Sequence, residues 1–229
     1  IPYREGVEFS VTSRNIAVGG QVVTINGIHG EYKDIFIPLY GAHQASNAAL
    51  ALAAVEAFAQ TQIEADVVAR AFANVQSPGR CEVLYRDPTV IVDAAHNPHG
   101  AHALAQTLSS EFDFESIFGV LAILGEKDVV GVLHELEPVI DRLVVTANSS
   151  ERALPVDDLY REAVKVFGVE RVFREENLKS AISIAMEQCT LINQQSEGVS
   201  GVVVTGSVVT AGETRNIVRD IVSKRSASE

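Results

Sequence analysis

The chain has 229 residues, of which 47% are hydrophobic and 21% are charged. These values are close to ordinary globular usage, so they exclude intrinsic disorder, collagen-like repeats and low-complexity scaffolds. The length indicates one complete domain and part of another. The 18 Lys and Arg residues against 30 Asp and Glu residues give a net charge of −12. Such an acidic chain is not expected to bind nucleic acid or an anionic membrane.

Cysteine usage and hydropathy indicate a cytoplasmic protein. Cys81 and Cys189 are the only cysteines and lie outside any C-x-x-C spacing, so neither a disulfide framework nor a cysteine zinc site is expected. The uncharged stretch 35–55 contains proline and several polar side chains, which makes it a poor membrane span. The first residues show neither a starting Met nor a signal-peptide pattern, so we expect a longer parent chain.

The first third of the chain predicts a small β-meander followed by two helices. Residues 7–40 alternate polar and apolar side chains, with glycine-containing turns between short antiparallel strands. Helix formers without internal Gly or Pro run from 42 to 59. A second helix is expected over 64–74, and the Ser-Pro-Gly sequence at 77–79 ends it. We place the domain boundary between residues 78 and 79.

The remainder, 79–229, predicts a Rossmann-like, doubly wound α/β domain with a mostly parallel sheet. Several of its strands are apolar at consecutive positions, as strands buried on both faces must be, and helical patterns fill the gaps between them. One antiparallel hairpin is expected at the sheet edge. The strands are expected at 82–86, 89–93, 117–122, 143–146, 171–173 and 202–205.

The most informative motif follows the strand at 89–93. Asp93 ends the strand, His96 lies in the loop, and Asn97 with Pro98 is typical of a helix start. A carboxylate and an imidazole are therefore expected beside the positive end of a helix, where anions bind readily. The alternative is that Asp93 only satisfies backbone amides and that His96 is an ordinary surface residue.

Three histidines at every third position, His96, His99 and His102, could indicate a metal site. His96 precedes the helix start while the other two lie inside it, so helical spacing alone cannot bring all three together. No nearby carboxylate completes a known zinc pattern. We therefore expect no metal ligands here and interpret His99 and His102 as solvated helix residues.

Polar side chains stand at three further junctions. Gln44 and Asn47 share a helix face and could hydrogen-bond a base or sugar edge, although the residue types by themselves favour capping of the helix start. Arg80 offers a guanidinium suited to a bidentate grip on phosphate, unless it is a plain surface residue. Gly206 and Ser207 follow the last strand and could approach an anion, or could serve only close packing.

A complete ATP site is not present in this sequence. A phosphate-cradling P-loop requires the sequence Gly-Lys-Ser/Thr, and none of the five lysines follows a glycine.

Taken together, these motifs resemble the dihydrofolate synthase/folylpolyglutamate synthase family of Mur-type ATP-dependent amide ligases. The resemblance covers nearly the whole chain as the C-terminal half of such an enzyme: residues 1–78 as the end of the central ATPase domain and 79–229 as the C-terminal domain. The motifs that carry it, in the family's order, are Gly-Ala-His-Gln-x-x-Asn-Ala at 41–48, Pro-Gly-Arg at 78–80, Val-Asp-Ala-Ala-His-Asn-Pro at 92–98, the turn at 125–128 and Thr-Gly-Ser at 205–207.

The resemblance implies the substrates and the roles of individual residues. It implies ATP and Mg²⁺, with L-glutamate joined to a folate or dihydropteroate through an acyl phosphate. Asn47 would contact the adenine side of the nucleotide, Arg80 its phosphates and Asp93 its ribose. His96 would lie near the terminal phosphate and the incoming glutamate, and Ser207 would help hold the glutamate; His96 and Arg80 are the expected catalytic residues.

Two consequences follow from the resemblance. The metal ligands and the P-loop are expected upstream, so we expect the intact parent to be a ligase and this chain alone to be inactive. We also expect the parent to be a monomer. Two alternatives stay open: a Mur-type ligase that adds an amino acid to a cell-wall precursor, and a non-catalytic nucleotide- or glutamate-binding module. The cell-wall ligases usually carry lysine in the strand-end motif, so His96 favours the folate branch.

Overall fold

A computed structural model describes residues 2–195 and 198–226. The chain divides into two compact units, Ile1–Pro78 and Gly79–Glu229. Each unit has its own hydrophobic core. Within the described residues, no helix combines the length and apolar character needed to cross a membrane.

The first unit packs two helices on a three-stranded antiparallel sheet. Its strands β1 (Ser10–Ala17), β2 (Gly20–Asn26) and β3 (Glu31–Ile37) follow one another in the sheet, as the meander pattern predicts. Helices α1 (Ala42–Ala59) and α2 (Ala65–Ala73) follow. The core of this unit is formed by one face of the sheet, one face of α1 and Val68 of α2.

The second unit is built on a six-stranded sheet with the order β4-β5-β9-β6-β7-β8. All neighbouring strands are parallel except β4, which forms an antiparallel hairpin with β5. Its strands are β4 (Glu82–Arg86), β5 (Thr89–Val92), β6 (Ser116–Leu121), β7 (Arg142–Ala147), β8 (Val172–Asn177) and β9 (Ser200–Thr205), and its helices are α3 (Pro98–Glu111), α4 (Val129–Leu136), α5 (Val156–Phe167), α6 (Leu178–Gln195) and α7 (Val208–Ser226).

Both faces of the central strands are buried, which confirms the expected doubly wound α/β fold. Val90 and Val202 pack in the cluster that includes residues of α6 and α7. Their neighbours Ile91 and Val203 point to the opposite face and are also fully buried. A strand covered by helices on both sides needs apolar residues at consecutive positions, and these central strands have them.

The strand β8 is longer than its sequence pattern predicts. It extends from Val172 to Asn177, whereas the apolar pattern indicates only 171–173. Because β8 is an edge strand, Arg174 and Glu176 are exposed and the strand carries no continuous apolar run. Hydrogen bonding to β7, rather than side-chain burial, determines its length.

Candidate functional site

Three segments meet at the carboxyl end of β5 in the second unit. The amide of Ala94 donates to the carbonyl of Gly79 at 2.8 Å, which ties the start of the unit to the loop after β5. The amide of Gly206 donates to the carbonyl of Ala95 at 3.0 Å, which ties the loop after β9 to the same place. Sequence segments far apart in the chain are therefore joined by backbone hydrogen bonds at one edge of the sheet.

The carboxylate of Asp93 organises this edge. Asp93 is 8% exposed; its Oδ2 accepts a hydrogen bond from Cys81 N at 2.8 Å, and its Oδ1 accepts one from Ala95 N at 2.7 Å. Burial raises the pKa of Asp93, while these two amides and the nearby charges of Arg80 and His96 act in the opposite direction. The structure thus confirms that Asp93 satisfies backbone amides, and a contact with ribose stays a prediction.

Arg80 occupies a tight, anchored turn. Its neighbours Gly79 and Cys81 both have positive φ, at 72° and 44°, and Gly79 N donates to Glu82 Oε2 at 2.8 Å. The positive φ is easy for glycine and costly for cysteine, so the hydrogen bonds to Asp93 and Glu82 must stabilise the turn. Arg80 itself is exposed, and among the described residues no hydrogen bond or ion pair engages its guanidinium.

His96 is oriented by the backbone of its own loop. It is half-buried, and its Nδ1 lies 2.9 Å from the carbonyl oxygen of Ala94. A carbonyl only accepts hydrogen bonds, so this contact requires the proton on Nδ1 and leaves Nε2 for a ligand. The next residue, Asn97, caps α3 by accepting from Gly100 N at 2.8 Å, with Pro98 in the first turn, as predicted.

The other two histidines of the motif do not join His96. His102 Nδ1 lies 2.7 Å from Glu135 Oε2, so it pairs with α4 rather than standing alone in solvent. His99 and His102 are both exposed, as expected for solvated helix residues, and the contact of His102 with Glu135 forms because α3 packs beside α4. No group of three or more His, Cys, Asp or Glu residues within 2–195 and 198–226 is arranged to hold a metal ion.

Ser207 is more deeply buried than the sequence indicates. It is 3% exposed, and its Oγ accepts from the amide of Thr210 at 2.9 Å, the pattern of a helix N-cap at the start of α7. Its Oγ also accepts from Asn148 Nδ2 at 3.1 Å. Sequence reasoning did not identify Asn148, although its place directly after β7 was the available signal.

The glycine before Ser207 is required by the close approach of two segments of the backbone. Gly206 has a φ of 118°, and a Cβ at this position would lie 2.4 Å from the carbonyl oxygen of Ala122. A side chain there would clash with backbone, which cannot move aside cheaply. The short loop after β9 therefore depends on glycine.

Asn47 lies in the first unit, at the start of α1. Its Nδ2 donates to Gln44 Oε1 at 3.2 Å, which confirms that the two amides share a helix face. The cap position of α1 is Gly41, which has no side chain to accept a capping hydrogen bond. Capping of the helix start by Gln44 or Asn47 and contact of these amides with a ligand both stay predictions.

The structure thus brings four of the five proposed site residues to one edge of the second unit: Arg80, Asp93, His96 and Ser207. An open parallel sheet with polar side chains beyond the carboxyl ends of its strands defines the ligand-binding class of doubly wound α/β domains. Residues 79–220 match the family described as "Mur ligase, glutamate ligase domain". The chain belongs to this Mur ligase family.

Comparison with individual proteins shows which members of the family the chain is similar to. The chain is 51% identical over 227 residues to the dihydrofolate synthase/folylpolyglutamate synthase of Mycobacterium tuberculosis, covering 93% of this chain and 46% of the relative. It superposes on a crystal structure of M. tuberculosis folylpolyglutamate synthase complexed with ADP and AMPPCP with a TM-score of 0.92 at 52% identity, covering 94% and 49% of the two chains. The folylpolyglutamate synthase of Thermotoga maritima gives a TM-score of 0.74 at 27% identity, covering 93% and 47%. The chain spans about half the length of these relatives.

Proposed function

We propose that this protein contributes the glutamate-ligase domain to an ATP-dependent ligase that joins L-glutamate to dihydropteroate, to a folate, or to both. The observation that carries the proposal is the strand-tip arrangement in which buried Asp93 holds the turn of Arg80 beside the loop of His96. The family match and the similarity to the M. tuberculosis enzyme support it. Activity, substrates and partners of the whole enzyme belong to the proposal because the chain spans about half of the relatives' length.

The proposed reaction has two steps. A carboxylate oxygen of the folate or dihydropteroate attacks the γ-phosphorus of ATP, the bond to the bridging oxygen breaks, and ADP leaves. The deprotonated amine of L-glutamate then attacks the carbonyl carbon of the acyl phosphate. The carbon–oxygen bond breaks, inorganic phosphate leaves, and the nitrogen loses its remaining extra proton as the amide forms.

Arg80 and His96 are the residues proposed to act on the reacting groups. The exposed guanidinium of Arg80 has two N–H edges available and suits the phosphate oxygens on which negative charge accumulates. The Nδ1–H of His96 donates to the carbonyl oxygen of Ala94. Nε2 is therefore the atom proposed to face the terminal phosphate or the incoming amine. The anchored turn and loop would hold both side chains ready before substrate arrives, which lowers the reorganisation needed in the transition state.

The remaining proposed contacts are with substrate and nucleotide. Asn47 would face the adenine and Asp93 the ribose, using carboxylate lone pairs left over after its two amide contacts. Ser207 would contact L-glutamate. Mg²⁺ is part of the proposed reaction, but no cluster of acidic residues in the described part of the chain fits a metal ion, so we assign no residue to it.

The proposal is tested by product formation. The intact enzyme that contains this sequence is incubated with ATP, Mg²⁺, L-glutamate and either dihydropteroate or a reduced folate, and ADP and glutamylated product are measured. We expect ADP release that depends on both L-glutamate and the pterin substrate. Release that depends instead on a cell-wall precursor would establish the alternative ligase. The 229-residue chain alone serves as a second sample and is expected to be inactive; tight ATP binding by that chain would support a free-standing binding module.

We also propose a monomeric enzyme of the cytoplasm. Both cysteines are buried free thiols, which is compatible with a reducing compartment. Sedimentation of the intact enzyme checks the oligomeric state.

A further inference from the structure

Asn148, which lies at the end of the strand β7, connects Ser207 to the rest of the sheet edge. It is 7% exposed, and its Nδ2 lies 3.1 Å from Ser207 Oγ and 2.9 Å from Thr210 Oγ1. Its Oδ1 accepts from the backbone N–H of Ser150 at 3.0 Å. A backbone N–H can only donate, so this contact identifies the oxygen of the amide and directs both N–H bonds of Asn148 at the two hydroxyls.

The directions of the hydroxyl hydrogen bonds follow from this arrangement. Thr210 Oγ1 lies 2.7 Å from the carbonyl oxygen of Ala122, to which it must donate. The proton of Thr210 is then used, so the 2.8 Å contact between Ser207 Oγ and Thr210 Oγ1 requires Ser207 to donate. Ser207 Oγ in turn accepts from Asn148 Nδ2 and from the amide of Thr210. Both lone pairs of Ser207 are occupied, and only its proton can be redirected.

A hydroxyl in this state can act toward a ligand only as a donor. It therefore suits a carboxylate and not an ammonium group. When the Ser207 proton turns toward a ligand, Thr210 Oγ1 still accepts from Asn148, so this buried oxygen keeps one hydrogen-bond donor. Asn148 thus supplies the hydrogen bonds that make this redirection cheap.

We propose that Asn148 is a positioning residue for the amino-acid substrate, acting through the hydroxyl of Ser207 and selecting a carboxylate there. This inference rests on the proposed function, in which Ser207 contacts L-glutamate. Asn148 itself is not a catalytic residue, because its side chain is fully engaged by the network and by Ser150.

The sharpest test is Asn148→Asp in the intact enzyme, a change of nearly constant volume. The new carboxylate still accepts from Ser150 but cannot donate, so it draws the protons of Ser207 and Thr210 toward itself. We expect the KM for L-glutamate to rise at least about tenfold, the size of one lost hydrogen bond to a charged group. The KM for ATP is expected to stay close to wild type, whereas the midpoint of thermal unfolding is expected to fall, because position 148 is only 7% exposed and the new side chain carries a charge.

Asn193→Asp is the matched control. It makes the same change of charge in the same unit, but Asn193 bonds the backbone of Ser200 at the opposite end of β9. Its glutamate KM is expected to equal that of wild type. Ser207→Ala provides a second arm: if Asn148 acts through Ser207, adding Asn148→Asp to Ser207→Ala causes no further rise in the glutamate KM. This comparison keeps its meaning even if Asn148→Asp loses some stability.

The outcomes separate the two proposals. A wild-type enzyme that shows no glutamate-dependent ADP release would overturn the proposed function and this inference together. An active wild-type enzyme overturns the inference alone if Asn148→Asp leaves the glutamate KM unchanged, raises the KM values for ATP and glutamate equally, or adds its full effect on top of Ser207→Ala.

Discussion

Each of the two units contains a buried carboxylate that binds two backbone amides, and the two differ in what surrounds them. Glu56 on α1 is fully buried and accepts from the adjacent amides of Ile28 and His29, at 2.5 and 3.2 Å, and from the hydroxyl of Tyr32 at 2.6 Å. Its contacts close the loop between β2 and β3. This carboxylate stabilises a single local turn.

Asp93 in the second unit accepts from two amides that belong to different segments, Cys81 and Ala95. The cationic side chain of Arg80 and the imidazole of His96 lie close enough to lower its pKa against the effect of burial. The same kind of contact therefore closes one loop in the first unit and joins two separate segments of the chain in the second. Burial of a carboxylate does not by itself indicate a functional site. Glu56 closes one loop, whereas Asp93 joins the segments that carry Arg80 and His96.

The largest effect, on turnover, is expected from removing the side chain of Arg80, which lies in the turn that Asp93 holds. Arg80→Ala should reduce turnover of the intact enzyme by about 100-fold, the usual size of losing one preorganised group that stabilises transition-state charge. The free energy of unfolding should change by less than about 0.5 kcal/mol, because Arg80 is exposed. Arg86→Ala, at the hairpin end of β4, is the control. Comparable turnover in the two variants would remove Arg80 from the site.

A large effect on stability is expected at Glu56. Glu56→Gln leaves one of three buried donors without a good acceptor and should lower the free energy of unfolding by about 2 kcal/mol, measured by urea unfolding. Glu64→Gln is the matched control, because Glu64 is exposed and its side chain makes no cap hydrogen bond. If both variants unfold at the same urea concentration, Glu56 does not hold the loop.

The pH dependence of stability should reveal the raised pKa of the Asp93 carboxyl. Burial raises its pKa above the ordinary 3.8, so the folded protein holds this proton more tightly than the unfolded chain. The stability advantage of wild type over Asp93→Asn is therefore full below pH 3.8. It falls as the pH rises through the pKa that Asp93 has in the folded protein. Urea unfolding of both proteins from acid to neutral pH measures the gap. Asp141→Asn controls for the loss of one charge, and a gap that widens with pH would contradict the prediction.

The smallest effect is expected at Tyr32, the partner of Glu56. Burial, followed by the hydrogen bond to Glu56, raises the pKa of Tyr32 to about 12 from 10.0. The stabilisation by its protonated phenol is full below 10.0 and is lost as pH rises through about 12. Tyr32→Phe should remove the last phase of tyrosinate absorbance and cost about 1 kcal/mol at neutral pH. Tyr3 is exposed, so Tyr3→Phe should keep the last phase of tyrosinate absorbance. If Tyr3→Phe removed that phase, the phase would belong to Tyr3 and not to Tyr32.

Much of the fold could be predicted because local patterns and long-range packing agree. The apolar runs of β5 and β9 follow from burial on both faces, and Asn97 with Pro98 begins α3 as its residue types indicate. The full length of β8 could not be predicted, since an edge strand held by hydrogen bonds on one side needs no apolar side chains. The order of the strands in the sheet could not be predicted either, because it depends on pairing between segments that are distant in the sequence.

By itself, the sequence determined which chemical groups are available and the α/β pattern that carries them, because residue type and periodicity are local properties. Only the tertiary structure decided what those groups do. It pairs Asp93 with two backbone amides, leaves Arg80 exposed, and supplies the Ser207 hydroxyl with an N–H donor from Asn148, 59 positions away. The physical reason is that a polar group's remaining hydrogen-bonding capacity depends on partners that folding brings from distant parts of the chain.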